Sequence, residues 1–146
     1  MDAVQGRNDE FTTRRLKYLL EQIVPILRIF DITKAKEFYI HYLGFALDWE
    51  HRFEPNLPLY MQLSKKNIKI HLSEHHGDCS PGAAIRIEVD EIRDFHRVLL
   101  NQNYNYSRPG LEKTSWGNEE CCVTDPFGNR IIFYKELNSD KSKTFN

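Results

Sequence analysis

Four side chains able to hold a divalent cation fall within six residues: His71, Glu74, His75 and His76. Imidazole and carboxylate ligands suit Zn, Ni or Fe. A metal site also needs its ligands to converge on one point. His75 and His76 are adjacent, and neighbours on an extended chain point apart. The sequence therefore favours a strand histidine followed by a solvated turn, with no metal and no cofactor. His71, Glu74 and His75 are the fallback set if a metal is held. The thiols carry less. Cys79, Cys121 and Cys122 show no CxxC spacing. Cys121 and Cys122 would point to opposite faces of a strand, which makes them poor partners for a disulfide or a metal. Nothing adjacent would depress a thiol pKa, so inert cysteines are expected. His96, beside Phe95, reads as a core or boundary histidine on a helix face. No Ser-His-Asp arrangement follows from the spacing. No catalytic residue is assigned.

What remains is aromatic. The chain has two tryptophans, Trp49 in DWEHRFEP and Trp116 in SWGNEE. Phe53 lies just past the first and Gly117 follows the second. Rings of this kind suit a flat apolar ligand, since offset stacking is worth ~0.5–1.5 kcal/mol per pair beyond area burial.

The elements that must position these residues are legible in order. Met1 to Asp9 is polar, and Glu10 to Gln22 has apolar residues at helical spacing, Leu16, Leu19, Leu20 and then Ile23. Ile23 to Phe30 is a first strand. Asp31 is an N-cap for a helix whose buried face is Ala35, Phe38, Tyr39, Tyr42 and Leu43, closed by Gly44. Phe45 to His51 is a second strand. A hairpin follows: Tyr60 to Leu63, a turn at Lys65-Lys66-Asn67, then Ile68 to Leu72. After the polar stretch EHHGDCSPG the order repeats. Ala83 to Val89 alternates as a strand, Asp90 is the expected second N-cap, and Ile92, Phe95, His96 and Leu99 mark a helix face. The connection from Asn101 to Asn118 is expected to hold an edge strand near Tyr104 to Arg108. Glu120 to Thr124, the turn DPFGN and Ile131 to Tyr134 close the second unit.

This is α+β: two tandem βαβββ units in a single domain. Expected boundaries are an N-terminal extension over 1–22, a domain over 23–136 with units at about 23–75 and 83–136, and a polar tail over 137–146. The length of 146 residues suits one domain, and 28% charged with 40% hydrophobic residues suits a soluble one. A net charge of −1 argues against a nucleic-acid partner. No apolar run approaches the ~20 residues of a membrane helix. The first residues lack a basic-then-apolar signal pattern, and cysteine usage fits a reducing compartment, so a cytoplasmic protein is expected.

The ordered set VPILRIFD, FY, LGF, IHLSE, IEVD, WG and DPFGN resembles the vicinal-oxygen-chelate superfamily of glyoxalases, extradiol dioxygenases and bleomycin-resistance proteins. The resemblance covers Val24 to Glu136 and is greatest to the bleomycin-resistance branch, although Ser115 stands where that branch has proline. It implies four metal-ligand positions, which fall here on Val24, Ile70, Gly82 and Ile132. None can ligate, so the resemblance leans away from an enzyme. It implies instead that the two units form a curved sheet cleft, lined by Trp49, Phe53, Met61, Trp116 and Gly117. That cleft would lie between the first unit of one subunit and the second unit of its partner, in a homodimer. The implied function is sequestration, without chemistry, of an aromatic or cationic antibiotic such as bleomycin. The alternative is a metal-dependent lyase, transferase or dioxygenase with a relocated metal site.

Overall fold

The computed structural model describes residues 17–137. Two segments of identical order make up the fold. The first is β1 (Ile26–Arg28), α1 (Ile32–Lys36) running into a π-helical stretch (Glu37–Tyr42), β2 (Ala46–His51), β3 (Tyr60–Lys65) and β4 (Ile68–Ser73). The second is β5 (Ala84–Glu88), α2 (Ile92–Asn101), β6 (Glu112–Lys113), β7 (Asn118–Thr124) and β8 (Arg130–Glu136). Each forms a mixed four-stranded sheet, ordered β1-β4-β3-β2 and β5-β8-β7-β6. In both, the first and last strands pair in parallel and the others antiparallel. This is the expected α+β duplication.

Period-2 alternation gives each sheet one apolar face. Leu27, Met61, Leu63, Ile70 and Leu72 point inward from the first sheet; Cys121, Val123, Ile131 and Phe133 do so from the second. The helical residues Phe38, Tyr39, Tyr42, Leu43, Ile92 and Leu99 join them in one core cluster. Asp31 caps α1, its Oδ1 accepting from Lys34 N at 2.8 Å. Gly44 ends the helical segment at φ +83°, where an added Cβ would lie 3.3 Å from Lys65 Nζ. That ammonium donates to Leu43 O at 2.9 Å.

The DPFGN turn ties the two units together. Asp125 Oδ1 accepts from Phe127 N and Asn129 N, at 2.9 and 2.8 Å. Its Oδ2 accepts from Tyr39 Oη at 2.6 Å and from Asn129 Nδ2 at 2.8 Å. Asn129 Nδ2 also donates to Arg28 O, at 2.8 Å, and its Oδ1 accepts from Ala83 N at 3.1 Å. One turn of the second unit thus satisfies buried polar groups of β1 and of the first helical segment.

Several local expectations are corrected. β1 is shorter than Ile23 to Phe30, and Ile23 is exposed. Of the expected helix over Glu10 to Gln22, residues 17–22 form a turn, a bend and irregular chain, with Leu19 and Leu20 exposed; residues 10–16 lie outside the described residues. The second N-cap is Glu91, without a side-chain bond, while Asp90 Oδ1 accepts from Glu91 N. The edge strand is β6 at Glu112–Lys113, not Tyr104 to Arg108, where Tyr104 instead stacks on Tyr42 at 4.5 Å.

Candidate functional site

The open face of the first sheet carries the side chains that alternate with its core. The register sets them in rows. Arg28, Ser73, Tyr60 and His51 form one row, and Ile26, His71, Gln62 and Trp49 the next. A bulge interrupts β2 between Leu47 and Trp49, so Asp48 is an extra residue on that strand. Two bulge residues then oppose one on β3. As a result Asp48 and Trp49 both address the open face, and Asp48 reaches the side chains of Gln62 and Ser64.

Trp49 lies against Tyr60, with ring centroids 5.9 Å apart and planes 14° apart, and edge-on to His71 at 5.5 Å. His51 meets Phe53 edge to face at 4.9 Å. Trp49, His51, Phe53, Tyr60, His75 and Asp78 line an open groove of about 560 Å³. Trp49 is 43% exposed and Phe53 74% exposed, so both rings are free to take a ligand face.

A hydrogen-bonded chain underlies this aromatic wall. Tyr60 Oη lies 2.6 Å from His71 Nδ1, and His71 Nε2 lies 3.0 Å from Gln62 Oε1. Gln62 Nε2 donates to Asp48 Oδ2 at 3.0 Å, and Ser64 Oγ donates to Asp48 Oδ1 at 2.8 Å. Burial, and then the Lys69 charge, hold the His71 imidazole below its ordinary range. Burial, and then Asp78 and Cys79, hold the Tyr60 phenol above its own. The hydrogen bonds from Gln62 and then Ser64 keep Asp48 below the usual carboxylate range. At neutral pH the chain is therefore a neutral imidazole, a protonated phenol and an ionised carboxylate.

The residues expected at the site fare differently. Trp49 and Phe53 come together around the groove. Met61 does not: it is 0% exposed, on the inner face of β3, where period 2 puts Tyr60 and Gln62 on the open side. Trp116 is 69% exposed, in the turn between β6 and β7, and does not line the groove within one chain. Gly117 follows it at φ +91°, its N–H donating to Thr114 O at 3.3 Å.

The metal positions implied by resemblance need one correction. Ile70 points into the core and is buried; the neighbouring open-face residue on β4 is His71. Both His71 ring nitrogens are already hydrogen-bonded. In the fallback set, Glu74 Oε1 accepts from Leu59 N at 2.9 Å. No three His, Cys, Asp or Glu side chains among the described residues are grouped to hold a metal. The side chains present do not fit one. Of the thiols, Cys121 is buried, and burial, then Cys122, push its pKa up to about 11; burial, then Asp78, raise that of the half-buried Cys79, while Cys122 is exposed. His96 Nε2 bonds Pro109 O at 2.8 Å, a structural role.

Sequence reasoning missed Tyr60, His51 and Gln62 as site residues, and took Asp48 as one of several acidic residues flanking the cleft. The signal for Tyr60 and Gln62 was present. They alternate with the apolar Met61 and Leu63, so they must face away from the core. The bulge that turns Asp48 onto the same face leaves no such signal.

Known proteins share this fold. A bleomycin-binding protein solved with bleomycin superposes with a TM-score of 0.62 at 18% identity, covering 80% of this chain and 99% of that one. An antibiotic-binding protein from Streptomyces sp. CB03234 gives 0.61 at 20% identity, over 82% and 99%. A bleomycin-binding protein from Streptomyces verticillus, solved with copper(II)-bleomycin, gives 0.60 at 22%, over 80% and 96%. Likeness at these identities establishes the fold. No curated protein matches the sequence. The family model described as "Glyoxalase superfamily protein" matches residues 8–140, nearly the whole chain. The chain belongs to the glyoxalase superfamily.

Proposed function

We propose that this chain is a small-molecule-binding protein of the bleomycin-resistance type. It takes up an aromatic or cationic antibiotic and lowers its free concentration by mass action, making and breaking no bond. The observation that carries this reading is the Trp49–Tyr60 wall, stacked and half exposed over a groove of about 560 Å³. The polar groups beneath it are engaged with one another, which suits a binding surface better than a reacting centre. Micromolar affinity requires about −8 kcal/mol. Stacking at ~0.5–1.5 kcal/mol per ring pair supplies part, and burial of a flat ligand the rest.

Residues 23–136 are the functional domain in this reading, acting in the cytoplasm. The groove is completed in a homodimer, where Trp116 and Gly117 of a second copy close over the ligand. The support is resemblance together with the exposure of Trp116, which has no ring partner among the described residues.

Tryptophan fluorescence tests it. Metal-free bleomycin is titrated into the unaltered protein and into Trp116→Phe, which leaves Trp49 as the reporter. The expected result is saturable quenching at about one drug per chain, with a micromolar midpoint. Absence of any change up to high micromolar drug refutes bleomycin as the ligand. A monomer mass by light scattering, with and without drug, refutes the shared cleft.

A further inference from the structure

The hydrogen-bonded chain beneath Trp49 has a direction, and each step of it is forced. It starts at Asp48, an ionised carboxylate that can only accept. The Gln62 atom facing it at 3.0 Å must be the NH2 group. Gln62 Oε1 is then the atom turned to His71. An amide oxygen also only accepts, so His71 Nε2 carries the ring proton and Nδ1 keeps a lone pair. Tyr60 donates its hydroxyl proton to that lone pair across 2.6 Å. Tyr60 Oη, on a residue that lines the groove, is therefore left with lone pairs and no proton to offer.

We infer that the groove selects flat ligands bearing a hydrogen-bond donor, such as an amidinium, ammonium or aromatic amine, with Tyr60 Oη as the receiving atom. The inference rests on the groove being a binding site and adds what that site recognises. Tyr60 and Asp78 both line the groove, and Asp78 is the one fixed charge among its lining residues. Asp78 Oδ2 is held by Ser73 Oγ at 2.6 Å, so the carboxylate is fixed in place. His51 and His75 complete the titratable lining, and Lys69 lies on β4 two residues before His71, outside the groove. A ligand oxygen at Tyr60 would meet lone pair against lone pair. A ligand N–H would complete an unbroken run of donors and acceptors through His71 and Gln62 to Asp48. Gln62 and His71 are positioning residues: they act on the ligand only by fixing which way the Tyr60 proton points.

The experiment uses two probes with the same ring system, 9-aminoacridine and acridine-9-carboxylate, titrated calorimetrically at pH 7.5. A donor met by Tyr60, against an acceptor refused by it, gives roughly tenfold or more in favour of the amine, since 1.4 kcal/mol is tenfold. Asp78 also favours the cation, so variants separate the two effects. Tyr60→Phe keeps the ring and Asp78, and lowers the preference several-fold. His71→Phe releases the Tyr60 proton, and the carboxylate probe gains affinity. In the unaltered free protein, 15N chemical shifts show His71 protonated at Nε2 and bare at Nδ1, a readout that needs no variant to fold. Equal affinities in the unaltered protein, an unchanged preference in a folded Tyr60→Phe, or a proton on His71 Nδ1 overturns the inference. Binding of neither probe overturns the binding-groove reading itself, which is a different failure.

Discussion

Tyr39→Phe removes one oxygen from the centre of the molecule, and its effect follows from the hydrogen bonds around it. Tyr39 is buried and donates to Asp125 Oδ2 at 2.6 Å. Burial, and then the Asp125 charge, raise its pKa far above the ordinary phenol value, so the side chain is a protonated donor at any working pH. The acceptor is a carboxylate, and a hydrogen bond to a charged group is worth about 1.5–3 kcal/mol net. The loss stays in that range because Asn129 Nδ2 still donates to the same oxygen, so the carboxylate is not orphaned. Phenylalanine fills the same ring volume, so no cavity term is added. A loss of about 2 kcal/mol lowers Tm by roughly 4–8 °C in a domain of this size. Tyr42→Phe is the control. Among the described residues its hydroxyl meets Ser107 Oγ alone, in a long, part-buried bond of 3.3 Å between neutral groups, so about 0.5–1 kcal/mol is expected. Urea unfolding followed by circular dichroism measures both. Equal losses in the two variants, or less than about 1 kcal/mol for Tyr39→Phe, would refute the view that the DPFGN turn is a stabilising hub.

Gly44→Ala places a Cβ at φ +83°, 3.3 Å from Lys65 Nζ, and should cost about 1–2 kcal/mol in urea unfolding; a neutral result would show that the turn relaxes. Trp49→Ala should weaken metal-free bleomycin by about 1–3 kcal/mol by calorimetry, as loss of an aromatic anchor does, and unchanged affinity would remove Trp49 from the site. Stability should fall on the alkaline side. The Cys121 pKa of about 11 lies above the ordinary thiol value near 8.5, so the folded chain holds that proton longer than the unfolded one. Its contribution is whole below about pH 8.5 and is lost as pH rises to about 11, with Tyr39 adding to the decline above about pH 10. A Tm that is level from pH 8 to pH 11 would contradict both assignments.

The duplicated order of elements was legible because the longer strands and the helices carry their own periods, and because both units close with a hairpin. The face of a strand residue was less so. Met61 was expected in the cleft, yet it lies between Tyr60 and Gln62 on a strand whose Leu63 is also core, and counting by two settles its direction. Ile70 was misassigned in the same way, one residue from His71. Other features leave no local trace. A two-residue strand such as β6 has no period to detect, and the bulge at Asp48 is defined by its pairing partner. The π-helical stretch over Glu37–Tyr42 has no signal of its own, since an apolar face at helical spacing fits an α-helix equally well. Trp49 and Phe53 were found by residue type, and their setting needed the register between β2 and β3.

The DPFGN turn also bears on how the chain matures during synthesis. The first unit is made first, but it is left with unmet groups. Tyr39 waits for an acceptor 86 residues further on, and Arg28 O for a donor 101 residues further on. Until residue 129 has been added, the corner between β1 and the helix behind it has no partner for either. A nascent chain paused after the histidine-rich turn would hold a sheet whose helix has Lys65 at its end but lacks the buried acceptor for Tyr39. Contacts this distant along the chain slow the search for the native state. The first unit therefore becomes native only after Asn129 has been made, and residues of β1 and its helix are secured long after they are synthesised.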